Sequence, residues 1–182
     1  NNVLSGTPHA AIRLSNTTAP GFSIKGNTIG ENLAGAAANN GLVGISLLST
    51  ANGNTIGGEG SGEGNLLSDA VPDPLNPTMN AIQVAGDNNT ILGNRIGVGS
   101  NGSVRNLFSG IQLITDADGN TIGGDTAASQ NEISNIKNDA VQIRKAFEYA
   151  RSGGFPLIVC APEPAALDAI EAMVREFDIK VG

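Results

Sequence analysis

Within short recurring words along residues 1–143, apolar and polar positions alternate with period two. A small residue followed by an apolar–polar–apolar triplet recurs as "AIRL" at Ala11, "GISL" at Gly44, "AIQV" at Ala81, "GIQL" at Gly110 and "AVQI" at Ala140. That is strand periodicity, with Ile45 and Leu47 facing one way and Ser46 the other. Ile12, Ile45, Ile82, Ile111 and Val141 follow one another at intervals of 33, 37, 29 and 30 residues. Two more words recur in fixed order with the first. N-x-[LI]-S stands at Asn2, Asn65 and Asn131, and a hexapeptide stands as "GNTIGE" at Gly26 and "GNTIGG" at Gly53 and Gly119, with a relaxed copy, "NNTILG", at Asn88. A longer period of 66 separates Asn54 from Asn120, Ile45 from Ile111 and Asn65 from Asn131.

Three short words at matched offsets predict a stack of about five coils, each of roughly thirty residues, alternating between two subtypes. Ile82 with Val84, Ile111 with Leu113, and Val141 with Ile143 are then expected inside. Arg13, Ser46, Gln83, Gln112 and Gln142 form the outward column, and a slip of one residue would bury it. The hexapeptide reads as one corner plus one strand. Ile29, Ile56, Ile91 and Ile122 are expected to stack as one interior column, each burial contributing about 1.5–3 kcal/mol. Asn27, Asn54, Asn89 and Asn120 are expected at equivalent corners, in left-handed dihedrals, bonding the next coil through their amides. Each such bond is worth about 0.5–1.5 kcal/mol net. "VPDPLNPTM", with its three prolines, predicts an irregular loop bulging from one coil.

Composition agrees with coils and tight turns. Twenty-five of 182 residues are Gly, a load that helical domains rarely tolerate. The formal net charge is −7 and no basic run exists, so nucleic acid and anionic membranes are poor partners. Cys160 is alone, which excludes an intrachain disulfide. No stretch is apolar and long enough to span a membrane, and no signal peptide is present. The opening "NNVLSG" reads as the middle of a repeat, so a leader is expected to have been removed upstream.

The order "GNTIGG … GN-x-[LI]-S … GIQL … GNRIG" resembles the right-handed parallel β-helix repeat proteins, the superfamily shared with pectate lyases. The resemblance covers Asn1 to about Ile143. It implies an all-β, right-handed parallel β-helix over residues 1–143, an extracellular or cell-surface location, and polysaccharide or cell-surface components as candidate partners.

After Ile143 the words stop. The last 39 residues hold eleven of the chain's charged side chains. "RKAFEYARSGG" reads as a helix ended by glycines, "FPLIVCAP" as a buried strand, and "PEPAALDAIEAMVREFD" as a helix with Leu167, Ile170, Val174 and Phe177 on one face. Residues 144–182 thus form a helix–strand–helix–strand segment. It resembles part of the sugar phosphate isomerase/epimerase TIM barrels, around "PLIVCAPEPAALDAIEAMVREFDIKV". Two strands and two helices cannot close such a barrel, so the segment reads as a fused or truncated fragment, or as a cap on the last coil.

Chemistry is thinly spread. Carbohydrate-active β-helices work with clustered carboxylates, with Ca²⁺, or with an Arg base. Here Asp87, Asp116 and Asp118 are the candidate metal or acid cluster, with Arg95 or Arg105 as neighbours and Asp125 and Glu132 as further acids; turn formation is the ordinary use of such residues. Ca²⁺ is the only candidate ion. "GGEGSGEGN" from Gly57 departs from the calcium β-roll nonapeptide by placing Glu where Asp is needed, and reads as a loop. His9 reads as a solvated loop residue and Cys160 as a small hydrophobe. Thr28, Thr55, Thr90 and Thr121 are expected as one outward column. The reading that follows is a non-catalytic β-solenoid, a structural or adhesin-like surface module without a catalytic set. Its alternatives are a carbohydrate-active lyase- or hydrolase-like β-helix and a truncated sugar phosphate isomerase.

Overall fold

Ile12, Ile45, Ile82 and Ile111 lie side by side, each hydrogen-bonded strand to strand with the next. The structure, a computed structural model, describes residues 1–15, 21–38, 40–68, 80–105, 109–114, 117–136 and 141–143. Every element in them is a strand, and all strand pairings are parallel. β1 (Val3–Leu4), β2 (Ala10–Leu14) and β3 (Ser23–Ile24) make the first pass, and β4 (Thr28–Ile29), β5 (Val43–Leu47) and β6 (Thr55–Gly57) the second. β7 (Leu66–Leu67), β8 (Asn80–Val84) and β9 (Thr90–Leu92) follow, then β10 (Arg95–Ile96), β11 (Ser109–Leu113) and β12 (Thr121–Ile122). β13 (Glu132–Ile133) and β14 (Val141–Ile143) come last.

Three sheets result, with orders β1-β4-β7-β10-β13, β2-β5-β8-β11-β14 and β3-β6-β9-β12, here called the first, second and third faces. The chain visits them cyclically, which is a parallel β-solenoid. From β1 to β13 it completes four circuits, and β14 only opens another, fewer than the five coils expected.

On the second face the register is the one the sequence words imply. Arg13, Ser46, Gln83, Gln112 and Gln142 are successive partners, alongside Ile12, Ile45, Ile82, Ile111 and Val141. Ile45, Ile82 and Ile111 are completely buried. The interior carries one aliphatic column per face, because a chain that returns to the same face must meet its previous pass in register or expose its apolar set.

The hexapeptide behaves differently from expectation. Ile56, Ile91 and Ile122 share the third-face column with Ile24, whereas Ile29 stacks with Leu4, Leu67, Ile96 and Ile133 on the first face. The word encodes a local unit and not an address: a left-handed residue, an inward Asn, an outward residue, an inward Ile and a left-handed Gly. Gly26 with Gly30, Gly53 with Gly57, Gly93 with Gly97, and Gly119 with Gly123 all have positive φ. Two corners of the solenoid need that same unit, so the same word serves both.

The double period has a physical origin. Where "GNTIG" or "GNRIG" supplies the first-face strand, the corner before it is tight, from Ile24 to Thr28 or from Leu92 to Arg95, and a long loop follows it. Each of those loops is closed by an antiparallel bridge, Glu31 to Ala37 and Val98 to Val104. Where N-x-[LI]-S supplies the strand, the loop comes before it, from Gly57 to Leu66 or from Ile122 to Glu132. Coils of the two kinds alternate. The chain divides into two units, Asn1–Arg144 and Lys145–Gly182; the second, with Cys160 and the expected helices, lies outside the described residues, as does the whole of "VPDPLNPTM".

Candidate functional site

Two asparagine ladders climb the solenoid at different corners. The first runs through Asn2, Asn27, Asn65, Asn94 and Asn131, at the residue before each first-face strand. Asn27 Oδ1 accepts from the backbone N–H and Nδ2 of Asn2 at 3.2 and 3.1 Å, and Asn65 Oδ1 accepts both from Asn27 at 3.0 and 3.1 Å. Asn94 Oδ1 accepts both from Asn65 at 3.1 and 2.9 Å. Asn131 Oδ1 takes both from Asn94, again at 3.1 and 2.9 Å. Along this ladder the Nδ2 of Asn65, Asn94 and Asn131 also donates to the carbonyl of Ile24, Ile56 and Ile91 in the coil before.

The second ladder stands at the entry to the third face. Phe22 N–H donates to Asn54 Oδ1 at 2.9 Å, Asn54 N–H and Nδ2 to Asn89 Oδ1 at 2.8 and 2.9 Å, and Asn89 N–H to Asn120 Oδ1 at 2.8 Å. Asn54, Asn89 and Asn120 are therefore brought together as expected, while Asn27 belongs to the other ladder. Nor are these asparagines left-handed: the positive φ falls on the residue before each, Gly53, Gly119 and, in the relaxed copy, Asn88 at 55°. Asn65, Asn94 and Asn131 are rungs that the hexapeptide alone did not reveal. The signal for Asn65 and Asn131 was the leading Asn of N-x-[LI]-S, and for Asn94 the Asn of "GNRIG", each two residues ahead of an inward aliphatic side chain, as in the hexapeptide.

A third, shallower row lies beside the second ladder and includes two of the candidate acids. Asp87 N–H donates to Asn52 Oδ1 at 2.7 Å, and Asp118 N–H to Asp87 Oδ1 at 2.9 Å. Asp87 and Asp118 thus stack on adjacent coils, with the Asp87 carboxylate capping a backbone amide. Asp116 lies outside the described residues. Among the described residues no three His, Cys, Asp or Glu side chains gather as a metal site. Arg95 Nε contacts Glu132 Oε2 at 2.8 Å on the surface, with about half of each side chain exposed, and Arg105 is engaged elsewhere. The outward threonine column is Thr55, Thr90 and Thr121 headed by Ser23, and Thr28 pairs on the first face instead. His9 is exposed.

Arg105 takes part in an ion pair that no sequence word announces. Its Nη2 lies 3.0 Å from Glu31 Oε1, with the two side chains 11% and 1% exposed. The same Nη2 donates to the Gly35 carbonyl at 3.0 Å, and Glu31 Oε1 also accepts Ser100 N–H at 2.9 Å. Burial raises the Glu31 carboxyl, but hydrogen bonds from Ser100 and Arg105, with the Arg105 charge, outweigh it and hold the group below its usual range. The pair fastens the Glu31–Ala37 loop to the Val98–Val104 loop across an intervening coil. Loops of the other kind meet likewise, Thr126 Oγ1 contacting Glu59 Oε1 at 3.2 Å. Removing two charges from water roughly cancels their attraction, so the clip's product is loop geometry more than stability. Chemically, the corners offer amides and carboxylates already engaged with the neighbouring coil.

No protein family, no curated protein and no solved structure matches this chain.

Proposed function

We propose that the chain is a non-catalytic β-solenoid, a structural or adhesin-like module presented outside the cell, with polysaccharide or other surface components as its partners. What supports this reading most is the use made of the corner polar groups. The amides of Asn27, Asn65 and Asn94 bind the coils before and after them, and the Asp87 carboxylate caps Asp118 N–H. Side chains committed to holding coil to coil stiffen the stack of coils. They are poorly placed to move protons on a substrate, which needs a carboxylate free to exchange them.

The test is incubation of the full chain with a panel of acidic and neutral polysaccharides, scoring co-sedimentation and new reducing ends separately. Binding without new reducing ends is expected. Reducing ends that appear with the parent chain and vanish in Asp87→Asn or Asp118→Asn would overturn the proposal in favour of a carbohydrate-active β-helix.

A further inference from the structure

Asn followed by Gly occurs three times in the chain, at Asn40–Gly41, Asn52–Gly53 and Asn101–Gly102. Such a pair is prone to attack its own side chain, because the bare glycine lets its backbone nitrogen approach the asparagine Cγ. Two of the three pairs are pinned from a neighbouring coil. Thr7 of the preceding pass gives its N–H to Asn40 Oδ1 at 3.1 Å, and its carbonyl accepts Gly41 N–H at 2.6 Å. Asp87 of the following pass treats the second pair alike: its N–H goes to Asn52 Oδ1 at 2.7 Å, and its carbonyl accepts Gly53 N–H at 3.0 Å. In both places one residue of another coil holds the carbonyl that would be attacked and the nitrogen that would attack it. Releasing them means parting the coils.

The third pair, among the described residues, is held by its own turn alone. Asn101 Oδ1 accepts Ser103 N–H at 3.0 Å, and Gly102 N–H donates to the Gly99 carbonyl at 2.9 Å. Asn101 and Gly102 are both exposed, and a Cβ on Gly102 would meet open space. Opening these two bonds uncovers no core side chain. This turn therefore opens locally, whereas the other two pairs open only with the stack.

We propose that Asn101–Gly102 is a self-modifying site, where the side-chain amide is lost and an aspartyl or isoaspartyl residue forms without an enzyme. The Gly102 nitrogen gives its proton to water and bonds to Asn101 Cγ, closing a cyclic imide, while Nδ2 takes up a proton and leaves as ammonia. Water then cleaves the imide at Cγ to give aspartate, or at the main-chain carbonyl to give isoaspartate, whose backbone runs on through Cβ and Cγ. The second product lengthens the hairpin that the Val98–Val104 bridge closes. That hairpin has no slack where it meets the clip. Ser100 N–H sits on Glu31 Oε1, and even a Cβ on Gly99 would collide with Ser103 Oγ and Glu31 Oε1. Isoaspartate at position 101 therefore draws Ser100 off Glu31 and loosens the clip.

The test incubates the folded full chain in mildly alkaline buffer beside the same chain in urea, with both mapped over time by peptide mass spectrometry. In the folded chain Asn101 should convert at least about a hundredfold faster than Asn40 or Asn52. In urea the three should convert at like rates. Gly102→Ala should slow the reaction at Asn101 about tenfold or more, in urea as in buffer, with the circular dichroism of the folded chain unchanged. Conversion of Asn40 or Asn52 in the folded chain as fast as Asn101 would overturn the proposal. So would a folded chain that keeps all three amides while the urea sample loses them. Converted chain, isolated by anion exchange, should unfold at lower urea than the parent, and Asn101→Gln chain incubated alike should not; equal midpoints would refute the loosening of the clip.

Discussion

Asn94→Ala should be among the most damaging single changes this solenoid can suffer. Asn94 is 1% exposed, and its side chain uses its full bonding capacity: Oδ1 accepts two hydrogen bonds from Asn65, and the two Nδ2 hydrogens are shared among Ile56 O, Leu92 O and Asn131 Oδ1. At about 0.5–1.5 kcal/mol each, these would sum to several kcal/mol. Part is recovered, because Asn65 Nδ2 keeps its bond to Ile24 O and Asn131 Oδ1 keeps the Asn94 backbone N–H. What cannot be recovered is the buried Asn65 N–H, which loses its acceptor at a cost of about 1–3 kcal/mol. A net loss of about 3 kcal/mol follows, a large share of the 5–15 kcal/mol typical of a domain. Urea unfolding followed by circular dichroism should show the midpoint falling by about 1–3 M. Asn101→Ala is the control, since Asn101 is exposed and among the described residues its side chain bonds only Ser103 N–H within its own loop; it should shift stability by no more than about 0.5 kcal/mol. If the two variants unfold together, the ladder carries no weight and the reasoning fails.

Glu31→Gln removes one charge of the buried clip and should lower stability at neutral pH by about 3 kcal/mol, through the uncompensated Arg105, as read from the same denaturation curves. Because the folded Glu31 carboxyl lies below its ordinary value of 4.5, its contribution is present above that pH and disappears as acid protonates it. Titrating the parent below about pH 4.5 should therefore show a stability loss that Glu31→Gln lacks. Gly57→Ala should cost about 3–4 kcal/mol, combining a left-handed φ with collision against the Leu92 carbonyl and the Asn94 amide. Gly53→Ala, equally left-handed but with open space where the methyl would go, should cost only about 1–2 kcal/mol; thermal melts of the pair would separate collision from dihedral strain.

The second face was legible in the sequence because a strand that meets its own previous pass must repeat its in–out pattern at every circuit. Ile12, Ile45, Ile82 and Ile111 therefore announce their register without any knowledge of the corners. Asn27 and Ile29 were misassigned for an equally physical reason. A corner with one left-handed residue, one inward amide and one inward Ile has the same sequence whichever face it opens, so "GNTIG" alone cannot say where it stands. Glu31 and Arg105 were not legible at all, being 74 positions apart in loops that share no word. Their only shared signal is position, each loop following a copy of the "GN-x-IG" unit. Asp87 and Asp118 were placed near one another by coil spacing, yet their use as backbone caps depends on corner geometry that composition does not carry.

The clips between like loops set the step size in which such a chain can grow. Glu31 reaches Arg105 and Glu59 reaches Thr126 by passing over one coil of the other kind. Duplicating or deleting a single coil would bring unlike loops opposite each other and strand a buried carboxylate without its cation. Adding or removing two coils together would restore every such contact. Relatives of this solenoid should therefore differ in length by even numbers of circuits, with the 66-residue pair as the unit of inheritance.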